Sequence, residues 1–377
     1  MTVIEVVAGE GGVTVAVPAP APGPAFASSI VDADGGLLTW PDVTRLTLPH
    51  ADIDDVSAAQ GWLWDLYGPD AALAVAVAAS GGAPVRVTAG PGALARPLAA
   101  LALGHWAARW WPASLLDGVP ALDPDLLGLE LAVLAHRAHR ALPPDTAADL
   151  LADHRPGIAA LSGDHSMGLL AGLAPIADLH GVDIGALPDP AGHPALGSRT
   201  ADDHALAAGP AAPAPPPGAR ILARGHGVND WCRHPAGLLD AAETAVSWAV
   251  HAHGAARVIE VHAVMGPLAR GASVRPTAEI VLGASAPVRL PLEPAGDAWA
   301  GRTAVDLPAT AVPDPDVHVL LPGFDPGPSG PEAAAARDRL RALAARRLDL
   351  ARGAHAGSGE PPPFLAELRA ARADEDF

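Results

Sequence analysis

Apolar and polar residues alternate with a period of two over much of the first ninety residues. Residues 2–7 and 13–17 are β-rich runs separated by a Gly-Glu-Gly-Gly sequence, which predicts a β-hairpin. Residues 29–40 predict a second hairpin, because the Asp-Gly-Gly sequence at their centre suits the positive φ values of a tight turn. Further apolar or alternating runs predict strands at residues 43–49, 72–79 and 84–89.

A helical period is clearest over residues 96–112, where Trp106 and Trp110 form an i,i+4 pair beside an apolar stripe. A buried aromatic side chain covers far more apolar area than a leucine, so we expect this Trp-rich helix to lie at the centre of an N-terminal core. Asp123 and Asp145 each precede a helical run and are predicted N-caps. The remaining helices of this half are predicted at residues 57–67, 124–140, 146–154 and 167–180.

The pattern changes after residue 218. A helix is predicted at 235–253, followed by alternating runs with the short, even spacing of a β-sandwich. Pro291 interrupts one of these runs, which indicates an edge strand, because proline has no N–H to donate to a neighbouring strand. The predicted strands are 258–264, 277–282, 287–292, 298–307 and 316–321, and a last helix is predicted at about 331–352.

These elements predict an α+β multi-domain fold, with an N-terminal α/β and helical part and a β-sandwich-like domain followed by a C-terminal helix. A chain of 377 residues is long enough for more than one domain. The predicted divisions are an N-terminal α/β domain (1–145), a helical region (146–207), a Pro/Ala-rich linker (208–217), a β-sandwich-like domain (218–328) and a C-terminal helix with an acidic tail (329–377).

Charge and composition narrow the classes of partner. The formal net charge is −18, which repels phosphate backbones, so nucleic acid is not expected as a partner. All 24 basic residues are arginine, and a chain rich in Ala, Gly, Pro and Arg is typical of a bacterium with a GC-rich genome. No apolar run approaches the roughly 18 residues of a membrane helix, so no membrane partner is expected either.

The single cysteine, Cys232, excludes an internal disulfide and any CxxC motif, which fits a reducing cytoplasm. The N-terminal run carries Glu5 where a signal peptide carries basic residues, and its apolar part is short. We therefore expect a cytoplasmic location.

One short stretch carries a metal-site pattern. The sequence Ser-Gly-Asp-His-Ser at 162–166 resembles the GGDHS signature of the ureohydrolases, the arginase-like enzymes, although serine stands in place of its first glycine. The resemblance implies a manganese-dependent hydrolase in which His165, Asp178 and His180 are metal ligands. The alternative interpretation is that Asp164 caps a helix that begins near Ser166.

A second candidate lies at residues 225–234, where His226, Cys232 and His234 are potential zinc ligands. They would make a zinc-stabilised binding module, whereas the simpler interpretation is a loop. A structural zinc site normally shows two pairs of closely spaced ligands, and only one cluster is present here. His262 and His318 fall on the polar faces of predicted strands and are expected to face water.

The motifs that the chain lacks are informative. Without lysine it has no Walker-type P-loop, no Schiff-base chemistry and no kinase lysine, and no G-x-G-x-x-G sequence follows a strand. We therefore expect no catalytic residues and no cofactor. The sequence favours a non-catalytic protein-interaction, scaffold or accessory component of a bacterial multi-protein system, with an NTPase or an effector as partner. If Trp111 were exposed beside Trp62 or Trp64, these tryptophans would form a candidate binding patch.

Overall fold

The chain divides into two units in the computed structural model, which describes residues 1–18, 23–161, 164–182, 220–254, 256–267, 269, 274–283, 286–306, 314–324, 330, 332–353 and 360–373. Unit 1 consists of Met1–Trp110, Leu122–Ala195 and Ala336–Phe377. Unit 2 consists of Trp111–Ala121 and Leu196–Ala335. The architecture is mixed α+β, as predicted, with antiparallel sheets in both units.

The sheet of unit 1 contains both predicted hairpins. Its strands are β1 (Thr2–Gly9), β2 (Gly12–Ala16), β3 (Ser29–Ala33), β4 (Gly36–Trp40), β5 (His50–Ile53) and β6 (Val85–Ala89). They form one antiparallel sheet in the order β3-β4-β5-β2-β1-β6. β1 pairs with β2, and β3 pairs with β4 across a turn in which Gly35 has a φ of +77°.

One face of this sheet is buried and the other is largely exposed. On β1 the side chains of Ile4 and Val6 are fully buried, whereas Val3, the residue before Ile4, is 53 % exposed. The period of two read from the sequence therefore separates a core face from an outer face, as expected for an antiparallel sheet with one packed side.

Three helices of unit 1 pack on the buried face: α1 (Val56–Tyr67), α2 (Pro69–Ala79) and α3 (Ala95–Trp110). Polar atoms of their aromatic side chains reach backbone carbonyls: the indole N–H of Trp62 donates to Asp34 at 2.8 Å, and that of Trp106 to Phe26 at 2.9 Å. Buried tryptophans need such partners. The Trp-rich helix α3 lies in the core, as predicted.

The rest of unit 1 is helical. The helices are α4 (Pro124–Arg137), α5 (Thr146–Asp153), α6 (Asp164–His180), α7 (Glu332–Ala351, which begins in unit 2) and α8 (Leu365–Ala373). Asp123 caps α4 as predicted, by accepting from the N–H groups of Asp125 and Leu126. Asp145 precedes α5 but makes no side-chain cap bond, so that detail of the prediction is wrong.

Helix α8 is held by contacts from distant parts of unit 1. The Glu130 carboxylate on α4 accepts from the N–H groups of Leu365 and Ala366 at 2.6 and 3.1 Å. These N–H groups lie at the N-terminus of α8, where no carbonyl of the helix itself can accept from them. The ring of Phe364 lies against Gly104 of α3. Side chains far apart in the sequence thus fix the start of this short helix.

Unit 2 contains two antiparallel sheets. Its strands are β7 (Arg220–His226), β8 (Val246–His253), β9 (Ala256–Val264), β10 (Thr277–Val281), β11 (Val288–Pro291), β12 (Glu293–Ala295), β13 (Ala298–Ala304) and β14 (Asp316–Leu320). The sheets have the orders β12-β13-β9-β8-β7 and β11-β10-β14. β11, which contains Pro291, is an edge strand, as predicted. Both sheets contribute to one apolar core, which includes Val250, Ile259, Trp299, Ile280 and Val319 and makes the unit sandwich-like.

The segment Trp111–Ala121 leaves unit 1 between α3 and α4 and packs on unit 2. The buried Asp240 carboxylate accepts from the Ser114 hydroxyl at 2.7 Å and from the Leu115 N–H at 2.7 Å. Leu116 packs against a small cluster that includes Ala245. These contacts place the segment in the β unit rather than in the N-terminal one.

Three predicted elements are wrong. Residues 72–79 belong to α2 and not to a strand, because a short Ala-rich apolar run has no period that separates the two, and Pro69 starts a helix well. Residues 43–49 form turns, in which Asp42 accepts from the N–H and hydroxyl of Thr44. Residues 235–253 form no α-helix: a loop leads into β8, where alternate residues such as Trp248 and Val250 face the core.

The predicted divisions differ from the two units. The segment 1–145 contains the eleven residues that pack on unit 2, and most of 329–377 belongs to unit 1. The predicted linker at 208–217 lies outside the described residues. Among the helices that are described, none combines the length and apolar character needed to cross a bilayer.

Candidate interaction surface

The three residues of the ureohydrolase-like pattern all lie on α6. His165 is in its first turn, and Asp178 and His180 are in its last turns. An α-helix rises about 1.5 Å per residue, so the two ends of the pattern are about 20 Å apart along one axis. Asp178 is exposed. The backbone positions of the three residues therefore do not converge on one point.

The residues of the zinc-like pattern lie at the end of β7 and in the loop after it. His226 is exposed, Cys232 is partly buried, and His234 is buried. The two ring nitrogens of His234 each lie 3.1 Å from an oxygen, the Pro235 carbonyl and the Asn229 side chain. Across the described part of the chain, no group of three or more His, Cys, Asp or Glu side chains is arranged to hold a metal ion.

The expectation that His262 and His318 face water is wrong. Their side chains are only 17 % and 16 % exposed. The Glu260 carboxylate lies 3.2 Å from Nε2 of His262 and 3.5 Å from Nε2 of the buried His251, so one acidic side chain links two histidines on neighbouring strands. Among the described residues, Nε2 of His262, Nδ1 of His318 and both ring nitrogens of His251 are buried without a hydrogen-bond partner. Proximity to Glu260 therefore does not satisfy His251 and His262.

An apolar surface on α1 and α2 is the clearest candidate for binding. Trp64 is 44 % exposed, Leu73 is 55 % exposed and Val77 is 60 % exposed. Leu73 and Val77 are an i,i+4 pair on α2, and the exposed Ala76 lies between them in the sequence. We call these four residues the α1–α2 surface. Exposed apolar groups that cluster on a protein surface mark sites of association.

The exposed indole of the α1–α2 surface is held in place. Its N–H donates to the Gln60 side-chain oxygen at 3.1 Å, and the Gln60 amide donates to the Ala72 carbonyl at 3.3 Å. Gln60 therefore links Trp64 on α1 to the backbone of α2. A tryptophan with a fixed side chain loses little further conformational entropy when a partner covers it.

α1, α2 and the residues just before them carry acidic side chains and no basic ones. The sequence from residue 46 to residue 85 contains no arginine or lysine. Asp54, Asp55 and Asp70 are exposed, and Asp65 pairs with Arg140 at 3.0 Å. A complementary surface would therefore be apolar at its centre and basic at its rim.

Other exposed apolar side chains are more isolated. On the outer face of the unit 1 sheet, Leu37 is 43 % exposed, but its cross-strand neighbours are Asp32 and Asp52. Val3 pairs with Thr88 in the same way. Polar neighbours break this face into single apolar groups, which are normal on protein surfaces.

The sequence pointed to part of the α1–α2 surface and missed the rest. Trp64 is exposed, but the condition set for a tryptophan patch is not met, because Trp111 is only 7 % exposed and its indole N–H donates to Pro120. Leu73 and Val77 were missed because their run was assigned to a buried strand. Their i,i+4 spacing after Pro69 was the signal that could have identified an exposed helical stripe.

Comparison with protein-family models, with curated proteins and with solved structures found no match to this chain. The α1–α2 surface is therefore characterised by its own geometry alone.

Proposed function

We propose that this chain is a non-catalytic interaction protein that binds another protein through its α1–α2 surface. The observation that carries the proposal is the exposed Trp64 on α1, which is hydrogen-bonded through Gln60 to α2, the helix that carries the exposed pair Leu73 and Val77. Tryptophan is enriched among the few residues that supply most of the binding free energy in protein interfaces. In this role the chain is an accessory or scaffold component of a bacterial multi-protein system.

The partner that fits is a protein with an apolar contact face bordered by arginine or lysine. Apolar burial would supply affinity, and the opposite charges would speed encounter and fix orientation. An NTPase or an effector remains our expectation for its class, since the sequence offers no Walker-type lysine of its own. The single cysteine suits a reducing cytoplasm as the place of assembly.

Site-specific photocrosslinking in the native host tests this proposal. A photoreactive amino acid at Leu73 or at Val77 should crosslink the same protein, whereas the same residue at Leu179 should not. Leu179 is a matched control, because it is an exposed leucine (70 %) near the end of another helix.

Purified components give the quantitative result. We expect Trp64→Ala to weaken binding by about 2 kcal/mol or more, roughly thirtyfold in Kd. Leu73→Glu should weaken binding at least as much, and Leu179→Glu should leave Kd unchanged. Equal affinities for wild type and Leu73→Glu, with both proteins folded, would refute the proposed surface.

Measurement of bound metal separates the metal-based alternatives from this function. A manganese hydrolase at His165, Asp178 and His180, or a zinc module at His226, Cys232 and His234, requires stoichiometric metal in the purified, untagged protein. Retention of one or two equivalents after mild chelation, and their loss on His165→Ala or Cys232→Ala, would favour those alternatives.

A further inference from the structure

Unit 1 contains a groove that the protein-binding proposal does not use. Its volume is about 590 Å³, and its lining comes from residues 1–2, from residues 43–48, from Pro91 and α3, from α7 and from residues 360–362. Small-molecule sites fall in the range of about 300–1,000 Å³. No residue of the α1–α2 surface belongs to the lining.

The floor of the groove is apolar and made of small side chains. Ala95, Ala99, Ala100 and Leu103 line it from successive turns of α3. Alanine side chains leave room above the helix, and Leu343 of α7 adds apolar surface at one wall. From Arg96 to Leu103 the helix rises about 10 Å, so the floor suits an elongated apolar group.

Two arginines line the groove, and they differ in their partners. Arg347 is saturated: its guanidinium donates to the Glu367 carboxylate and to the carbonyls of Pro361 and Pro362. Arg96 is exposed and makes no ion pair or hydrogen bond with any part of the chain that the structure describes.

One further arginine stands within residues 43–48 but is not itself a lining residue. Arg45 is exposed and lies between the lining residues Thr44 and Leu46. The acidic side chain of the lining, Glu360, faces Arg346 at 3.9 Å. In a chain of net charge −18, Arg96 is therefore the lining cation that gives this groove a local positive charge that an anion can use.

We propose that this groove binds an amphiphilic monocarboxylate, with its hydrocarbon chain on the alanine floor of α3 and its carboxylate on Arg96. An arginine offers two parallel N–H donors to a carboxylate, which gives a stronger and more directional contact than a neutral polar group. Burial of each methylene strengthens binding roughly fourfold, so chain length and charge both contribute to selectivity.

Titration of the full-length protein with decanoate, followed by calorimetry, tests the proposal. We expect saturable one-to-one binding of decanoate and binding of decanol at least tenfold weaker, since the alcohol cannot form the paired contact. Arg96→Gln should reduce decanoate binding to the level of decanol. Arg86→Gln is the matched control, because Arg86 is 74 % exposed and lies outside this groove, and it should leave decanoate binding unchanged.

A second variant tests whether the hydrocarbon chain of the ligand lies on the alanine floor of α3. Ala99→Trp should fill the groove and abolish decanoate binding. If the Ala99→Trp protein does not fold, Ala99→Leu takes its place and should weaken decanoate binding. Absence of saturable decanoate binding, or equal binding by wild type and Arg96→Gln, would overturn the proposal. Crosslinking at Leu73 does not depend on the groove. The protein-binding function is therefore tested separately, whichever result the decanoate titration gives.

Discussion

The ion pair between Arg347 and Glu367 is the most deeply buried one that the structure describes. Each side chain is 1 % exposed, and two parallel contacts of 2.9 and 2.5 Å join them. Glu367 also accepts from the N–H of Phe364 at 2.8 Å, as the acidic residue of a capping box does. One carboxylate thus joins α7 to the start of α8.

We expect Arg347→Met to lower the free energy of unfolding by about 3–5 kcal/mol, because it leaves Glu367 buried without its charge partner. The double variant Arg347→Met with Glu367→Leu should recover part of the loss. Urea denaturation measures both. Arg86→Gln, which breaks an exposed pair with Glu5, should change the free energy by less than about 1 kcal/mol, and an equal loss in both arginine variants would contradict this account.

Glu130 makes the stability of unit 1 depend on pH. The pKa of its carboxyl is raised from 4.5 to about 7. Burial is the largest cause and nearby Glu367 adds to it, while the N–H groups of Leu365 and Ala366 and the charge of Arg369 oppose the rise. The folded state therefore binds this proton more tightly than the unfolded state. The stabilisation is complete below pH 4.5 and is lost as the pH rises to about 7.

We predict that the difference in unfolding free energy between wild type and Glu130→Gln changes with pH. Wild type should lose up to about 3 kcal/mol relative to Glu130→Gln between pH 4.5 and pH 7.5. Urea denaturation at several pH values measures this difference. Glu5→Gln, on the sheet, where the side chain is 43 % exposed, serves as the control. Parallel pH profiles for wild type and Glu130→Gln would contradict the assignment.

Single-residue chemistry was only partly visible in the sequence. The cap at Asp123 follows from local spacing, because donor and acceptor are within three residues of each other. The roles of Glu130 and Glu367 were not foreseen. Glu130 meets α8 only after more than 200 residues of intervening chain have folded, and no local pattern reports that contact.

At the scale of elements, the β1–β2 hairpin depends on one glycine. Gly12 has a φ of +140°, and a Cβ at this position would lie 1.9 Å from the carbonyl oxygen of Ile53 on β5. An L side chain would be strained by its backbone conformation and would also collide with the next strand. The adjacent Gly11 has no atom within 4 Å of such a Cβ.

We therefore expect Gly12→Ala to destabilise the protein by about 2 kcal/mol or more and Gly11→Ala to change the free energy of unfolding by less than about 1 kcal/mol. Thermal denaturation of the two variants measures the contrast. Similar melting temperatures for both would show that β5 moves away without loss.

Elements with a clear period were predicted correctly, and apolar runs without one were not. The hairpins at 2–17 and 29–40 and helix α3 follow from alternation or helical spacing. Residues 72–79 are almost wholly apolar, so either structure satisfies the pattern, and neighbouring helices decide it. Residues 246–253 alternate, but the apolar residues before them suggested a helical stripe that the fold does not use.

At the scale of the whole molecule, neither unit is one continuous stretch of the chain. Unit 2 includes Trp111–Ala121, and the fully buried Asp240 carboxylate depends on that segment for the hydroxyl of Ser114 and the N–H of Leu115. A fragment that begins after residue 121 would leave the Asp240 carboxylate with fewer donors. Buried carboxylates without partners are strongly unfavourable.

We predict that a fragment of residues 196–335 is poorly folded alone and gains structure when a peptide of residues 111–121 is added. Circular dichroism and amide exchange measure the gain. A peptide with Ser114→Ala should be less effective, because one donor to Asp240 is missing. A fragment that is equally stable with and without peptide would contradict this dependence.

Which tryptophans are exposed could not be predicted from the sequence. The exposure of Trp64 depends on which helices cover α1, and the burial of Trp111 depends on a segment that packs away from its sequence neighbours. Both are properties of tertiary structure. The groove on α3 is equally invisible in the sequence, since its walls come from five separate stretches of chain.

The position of α8 has a consequence for synthesis on the ribosome. Helices α3 and α4 emerge long before Phe364 and Glu367, and at 5–20 residues per second the interval is roughly 10–50 s. Throughout that interval Gly104 and Glu130, which α8 later covers, remain open to water and to other chains. Until Phe364 has been synthesised, the apolar surface where Leu131 meets Gly104 is incompletely covered, and chaperones that bind apolar helices would act on the nascent protein at that stage.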